Sequence, residues 1–254
     1  MDSCRIMTPR AASSFGERST SGIVVRSKAV HPTPSSVGVR MKTILCYGDS
    51  NTWGYVPGSA TRYAPHQRWT GVLQRCLGGD FVVIEEGLNS RTTVLDDPTK
   101  PFKNGKDYLI PCLDSHAPLD LVILMLGTND LKHRFGLSAF DIGANVATLL
   151  GLMKQSTCSC SGGAPRVLLM APPPVGKLTI VGSTNFPEIF RGAEEKSKML
   201  GQIYRKFAQE AGAAFLDTSE IIVSSNVDGI HFEADEHRKL GEAVAGQVRR
   251  LLGA

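Results

Sequence analysis

Ile44-Leu-Cys-Tyr-Gly-Asp-Ser-Asn-Thr-Trp-Gly54 governs how the rest of the chain is read. The apolar run Thr43 to Tyr47 has the make-up of a buried strand. It ends at Gly48, which permits a sharp turn, and Asp49 and Ser50 then stand where a helix can begin. On that reading Ser50 is exposed at the carboxyl end of a strand, and its own N–H is among the free donors of a helix N-terminus. Such a corner suits a nucleophile.

Working outward, short aliphatic runs recur at Phe81 to Glu85, Leu121 to Leu126, Val167 to Ala171 and Ala214 to Leu216. They are continuous rather than alternating, as strands buried on both faces should be. Helical stretches are expected between them, over 66–77, 105–116, Ala139 to Lys154, Glu188 to Ala211 and Ala234 to Leu252. In the fourth, Met199, Ile203, Phe207 and Ala211 recur every four residues and mark one helix face. Strand and helix in alternation predict a doubly wound α/β fold with a five-stranded parallel sheet, whose ligands bind at the carboxyl ends of the strands. The polar loops Gly48 to Ser50, Gly87 to Arg91, Gly127 to Asp130, Pro172 to Pro174 and Asp228 to His231 all follow strands, so all five are expected on one sheet edge.

Composition narrows the function. The 254 residues are 42% hydrophobic and 20% charged, ordinary for one large globular domain. The longest apolar run, Leu119 to Gly127 with Asp120 inside it, falls short of the roughly 18 to 20 residues of a membrane span, so no transmembrane helix is expected. Residues 1 to 40 hold six basic and two acidic residues and so carry the whole net charge of +4; the other 22 basic and 22 acidic residues cancel. That neutrality gives no electrostatic case for nucleic acid. The first 40 residues, rich in Ser, Thr, Arg and Pro and without periodicity, are expected to form a disordered extension to a folded domain over 41–254. Met41 reads as the natural start of that domain. Of the six cysteines only Cys158 and Cys160 are close in sequence, and they lack the partners of a zinc site; free thiols and a cytoplasmic setting are expected. His66, His116, His133 and His237 show no ligand spacing and are read as structural or solvated, so no metal is expected.

A serine hydroxyl needs a base within reach, and the base needs an orienting acceptor. Asp228 and His231 offer both from one loop, with Gly229 between them to allow a tight backbone. Acyl transfer also needs donors for a developing oxyanion, and the N–H of Ser50, a backbone N–H of the second loop and the side-chain amide of Asn129 are the candidates.

Gly-Asp-Ser near the start, Gly-Thr-Asn-Asp after the third strand and Asp-x-x-His near the end resemble the signature blocks of the SGNH (GDSL-type) hydrolases, in that superfamily's order and spacing over 42–252. The chain is most similar to the bacterial arylesterase/acyltransferase subgroup. The matching stretches are Gly48-Asp-Ser-Asn-Thr-Trp-Gly54, Gly87-Leu-Asn-Ser-Arg-Thr-Thr93, Leu119-Asp-Leu-Val122, Met125-Leu-Gly-Thr-Asn-Asp130 and Val227-Asp-Gly-Ile-His-Phe232. The resemblance implies a flavodoxin-like three-layer α/β/α sandwich. It implies cleavage of short-chain esters by Ser50, His231 and Asp228 without metal or organic cofactor, and acyl transfer to alcohols or peroxide. It also implies a bacterial cytoplasmic homo-oligomer, an octamer if it follows the subgroup's best-known mycobacterial member.

The superfamily's oxyanion glycine aligns with Ser90, and the leucine usual after the nucleophile is Asn51 here. Asn51, Trp53, Phe186, Phe190 and Ile230 are the expected pocket residues. Two other readings stand beside the esterase: a carbohydrate O-acetylesterase using the same residues, and a binding module that keeps the fold without catalysis.

Overall fold

The structure, a computed structural model, describes residues 40–253. The extension expected over 1–40 lies outside the described residues, apart from Arg40. In chain order the elements are β1 (Lys42–Gly48), α1 (Ser50–Trp53), α2 (Trp69–Leu77), β2 (Phe81–Gly87), α3 (Gly105–Ser115), β3 (Leu121–Met125), α4 (Ala139–Gln155) and β4 (Arg166–Ala171). There follow β5 (Ile180–Val181), β6 (Thr184–Asn185), α5 (Phe186–Ile189), α6 (Ala193–Ser197), α7 (Leu200–Ala211), β7 (Ala214–Asp217) and α8 (Ala234–Leu252).

The five expected strands form one sheet in the order β2-β1-β3-β4-β7, and every pair in it is parallel. Alternation of side chains along the strands feeds two cores. Ile44, Cys46, Leu121, Ile123, Leu168 and Met170 pack with Trp69 and Leu73 of α2 and with Leu240, Val244 and Val248 of α8. Their neighbours Leu45, Tyr47, Val122, Leu124 and Leu169 pack with Leu109 of α3, Ile142 and Val146 of α4, and Tyr204 of α7. Helices thus cover both faces, and the fold is the expected three-layer α/β/α sandwich with a five-stranded parallel sheet. Among the described residues, no helix is long and apolar enough to cross a membrane.

The chain runs from β1 outward to β2 and then crosses back to β3 on the other side of β1. The loops leaving β1 and β3 therefore diverge, which opens a crevice at their carboxyl ends. In register, Gly48 lies beside Gly87 on one side and Met125 on the other, so the first three polar loops start at one level.

The helix expected over Glu188 to Ala211 is broken. Gly192 adopts φ 79° and separates α5 from α6, and a further irregularity at Lys198 and Met199 precedes α7. The buried face of α7 is Leu200, Tyr204 and Ala208, one residue past the predicted row, and Met199 is exposed. Ile203 and Phe207 lie beside that face, against Gly143 of α4, where a Cβ would stand 2.4 Å from Ile203. The small β5–β6 hairpin was not foreseen, because its two-residue strands are too short to carry a period.

Candidate active site

Asp49 caps the single turn of α1, its Oδ1 accepting from the Asn51 N–H at 3.0 Å. Gly54, at φ 88°, ends that turn and folds the chain back. Ser50 is therefore presented at the sheet edge, although it is buried at 7% exposure rather than open to solvent as expected. The last loop comes to meet it. Asp228 Oδ1 accepts the N–H groups of Ile230 and His231, each at 2.9 Å, around Gly229, which adopts φ 80°. A Cβ on Gly229 would lie 2.7 Å from the carbonyl of Lys177, so the turn excludes a side chain there.

His231 links the two loops: its Nδ1 lies 2.8 Å from Asp228 Oδ2 and its Nε2 3.0 Å from Ser50 Oγ. Burial opposes ionisation of Asp228, yet the bond from His231 and the two backbone N–H groups outweigh it and hold the carboxyl below its usual range. An ionised carboxylate only accepts, so Nδ1 carries the proton and Nε2 accepts from the Ser50 hydroxyl. The imidazole is fixed from both sides: Tyr55 stacks on it at 4.1 Å between ring centroids, and Phe186 meets it edge-on at 6.2 Å.

The second and third loops are locked to this corner. The Arg91 guanidinium lies 4.1 Å over the Tyr47 ring and donates to the carbonyls of Gly48, at 2.9 Å, and Glu86. Asp130 accepts from the Thr93 N–H at 3.0 Å and from the Thr93 hydroxyl, joining the loop that bears Ser90 to the one that bears Asn129. Ser90 adopts φ 67°, the left-handed region that glycine enters most freely. Among the described residues, the N–H groups of Ser50 and Ser90 and the Asn129 side-chain amide donate to no protein acceptor. Ser50, Ser90, Asn129, Phe186, Phe190, Ile230 and His231 line one pocket of about 220 Å³.

Two expected pocket residues do not line it. Asn51 is 2% exposed and lies beneath the site, its Nδ2 donating to the Ile230 carbonyl at 3.3 Å. Trp53 is turned away: Arg62 covers its ring at 4.9 Å and donates to its carbonyl at 2.7 Å. Tyr55 takes the place foreseen for Trp53, with Thr184 of the hairpin and Ile189 completing the wall. The signal for Tyr55 was Gly54, whose left-handed turn reverses the chain and brings the Tyr55 N–H to the Ser50 carbonyl at 3.0 Å. Lys100, Lys132 and Arg134 also line the pocket without having been foreseen.

For a metal, the closest grouping among the described residues is Glu86, Cys112 and His116, whose ligand atoms lie within 4.8 Å of one another. Glu86 and His116 already hydrogen-bond at 2.8 Å, and burial pushes the Cys112 thiol up to about 12, so the group reads as a hydrogen-bonded pair beside an inert thiol.

A parallel α/β sheet with a linked serine, histidine and aspartate at its carboxyl edge is an arrangement shared by several classes of serine hydrolase. The model of the GDSL-like lipase/acylhydrolase family matches residues 46–239, and the chain belongs to that family. Its structure is similar to that of the Mycobacterium smegmatis aryl esterase in its inhibitor-bound form, with 45% identity and a TM-score of 0.79 over 83% of this chain and 99% of that one. It is also similar to Est24, a carbohydrate acetylesterase from Sinorhizobium meliloti, with 40% identity and a TM-score of 0.77 over 83% and 99% of the two chains. A G-D-S-L family lipolytic protein from Veillonella parvula DSM 2008, at 16% identity and a TM-score of 0.58 over 82% and 97%, shares the fold. No curated protein matches the chain. The protein is a carboxylic ester hydrolase.

Asp130 gives a measurable signature of this packing. Burial pushes its carboxyl up to about 7, although both Thr93 bonds and Lys132 work against the rise. In the unfolded chain an aspartate titrates near about 4. The folded state therefore holds the extra proton between those values, and this stabilising contribution is full below pH of about 4 and is lost as pH rises through about 7. Asp130→Asn cannot ionise. Urea unfolding across this range should show wild type losing stability relative to the variant as pH rises; a difference independent of pH would contradict the buried, protonated carboxyl.

Proposed function

We propose that the protein is a serine esterase cleaving short-chain carboxylic esters through an acyl-enzyme. The observation that carries this is the unbroken chain from Ser50 Oγ to His231 Nε2 at 3.0 Å and from His231 Nδ1 to Asp228 at 2.8 Å. In this reading Ser50 Oγ attacks the ester carbonyl while Nε2 takes its proton. Asp228 holds the imidazole in the tautomer that leaves Nε2 free and stabilises the imidazolium that forms. The N–H groups of Ser50 and Ser90 and the Asn129 amide receive the oxyanion, His231 returns the proton to the leaving alcohol, and water repeats the sequence to release the acid.

The small pocket supports a short acyl group. Its apolar wall of Phe186, Phe190, Ile189 and Ile230 supports acyl transfer, because an alcohol or peroxide would compete there with water. The similarity to the S. meliloti carbohydrate acetylesterase supports a second reading, removal of acetyl groups from sugars. We also infer a homo-oligomer, up to an octamer. Phe102 is 94% exposed beside a groove of about 850 Å³ that Tyr108 also lines, an apolar surface suited to a second copy. The five free cysteines among the described residues support residence in the reducing cytoplasm. Light scattering that gives a monomer at micromolar concentration, or fractionation that recovers the protein outside the cytoplasm, would remove these two inferences.

The esterase reading is tested with p-nitrophenyl esters of increasing acyl length beside acetylated xylan, with and without alcohol and peroxide acceptors. Ser50→Ala should lose a factor of about 10⁴ or more in kcat, and Asn129→Ala about 10² to 10³. Ser90→Gly keeps the main-chain donor and should retain activity. Undiminished turnover by Ser50→Ala would overturn the assignment, and a preference for xylan acetate would favour the second reading.

A further inference from the structure

One side of the pocket carries a charge that a neutral ester does not use. Lys100, Lys132 and Arg134 line it, and no aspartate or glutamate does. Lys132 and Arg134 share a counter-ion, Asp97, whose side chain is fully buried: Lys132 Nζ lies 3.1 Å from Oδ2 and Arg134 Nη1 3.0 Å from Oδ1. Asp97 Oδ1 also accepts the Thr99 N–H at 3.0 Å and the Thr99 hydroxyl at 2.8 Å, so its oxygens are already heavily engaged. Three cations against one anion leave a net charge of two at the pocket wall.

The arrangement is built rather than loose. A turn closed by the Lys100 N–H on the Asp97 carbonyl, at 3.0 Å, carries Lys100 to the pocket. Its ammonium stands 3.1 Å from Ser90 Oγ, beside the backbone donor assigned to the oxyanion, and has two further N–H groups to offer. Lys132 is buried, and its ammonium is pushed down by that burial and by the charges of Lys100 and Arg134, with Asp97 opposing. Like charges held this close are relieved by an anion between them.

We propose that the pocket selects esters bearing a carboxylate, which Lys100 and Arg134 bind at the rim with Lys132 beneath them. This rests on the esterase reading and names its substrate class: short acyl esters of acidic alcohols or phenols, with the carboxylate steering the ester toward Ser50.

The test compares kcat/KM for 4-acetoxybenzoate and for 4-acetoxybenzamide, which differ in charge and little in shape. Both are measured in wild type, Lys100→Gln and Arg134→Gln, at low and high salt, with p-nitrophenyl acetate as a neutral reference. The ratio of acidic to neutral ester should fall about two- to fivefold in each variant, the scale of one partly solvated ion pair. In wild type that ratio should also fall as salt rises, since added ions screen a partly exposed pair. Lys100 is exposed, so its variant tests the idea even if Arg134→Gln disturbs Asp97. A ratio equal in all three proteins and indifferent to salt would overturn the proposal, including the case in which the lysine only assists the oxyanion and both esters slow together. Wild type inert toward p-nitrophenyl acetate would instead sink the esterase reading itself.

Discussion

Gly48 must lack a side chain. A Cβ there would stand 2.0 Å from Thr52 Oγ1 and 3.0 Å from the carbonyl of Met125, so any other residue would force the first turn of α1 away from the strand end. With glycine in place, α1 folds tightly over the ends of β1 and β3. Two further close approaches extend the same packing. A Cβ on Gly87 would meet the Trp53 backbone nitrogen at 2.1 Å, and one on Gly127, at φ 119°, would meet the Tyr204 hydroxyl at 2.0 Å. Each of the first three strands thus ends on or just before a glycine that lets a neighbouring element close in, and the polar loops begin from a shared, compact level. The geometry around Ser50 is inherited from this packing.

Polar contacts then hold the loops in register. Arg91 ties the second loop to the end of β1, Asp130 ties the third loop to the second through Thr93, and Asn51 ties the serine turn to the backbone of Ile230. The buried carboxylates differ in consequence. Asp49 has one backbone donor, and burial pushes it up to about 6; Asp130 is pushed up to about 7. Asp228 is as deeply enclosed but receives two backbone N–H groups and the imidazole, and stays below the usual carboxylate range. Desolvation alone raises all three, and of these only the aspartate facing His231 has enough donors to be held below the usual carboxylate range.

Much of this was legible in the residues. The five aliphatic runs are the five sheet strands, within a residue or two at each end, because burial on both faces leaves continuous apolar sequence. The polar blocks are legible because a turn at a strand end demands glycine and short polar residues, and each block follows one of those aliphatic runs. What escaped depends on contacts between segments distant in sequence. Trp53 and Tyr55 are both aromatic and near Ser50, and only the left-handed turn at Gly54 and the cover of Arg62 decide which faces the pocket. The break at Gly192 was hidden because apolar spacing continued through it, while the offset buried face of α7 is set by α4 and the sheet rather than by the helix's own sequence. The cationic wall was invisible because Lys100, Lys132 and Arg134 read singly as solvated charges; Lys132 and Arg134 become a pair only through the Asp97 carboxylate, and Lys100 joins them through the backbone turn at Asp97.

The central claim is that these constraints make one serine in the chain nucleophilic. The most direct measurement is reaction with a fluorophosphonate followed by intact-mass and peptide mass spectrometry. One adduct per chain is expected, on Ser50, formed slowly or not at all in Asp228→Asn, where the imidazole loses the carboxylate that fixes its tautomer. An adduct on another serine, or none on a folded protein, would contradict it.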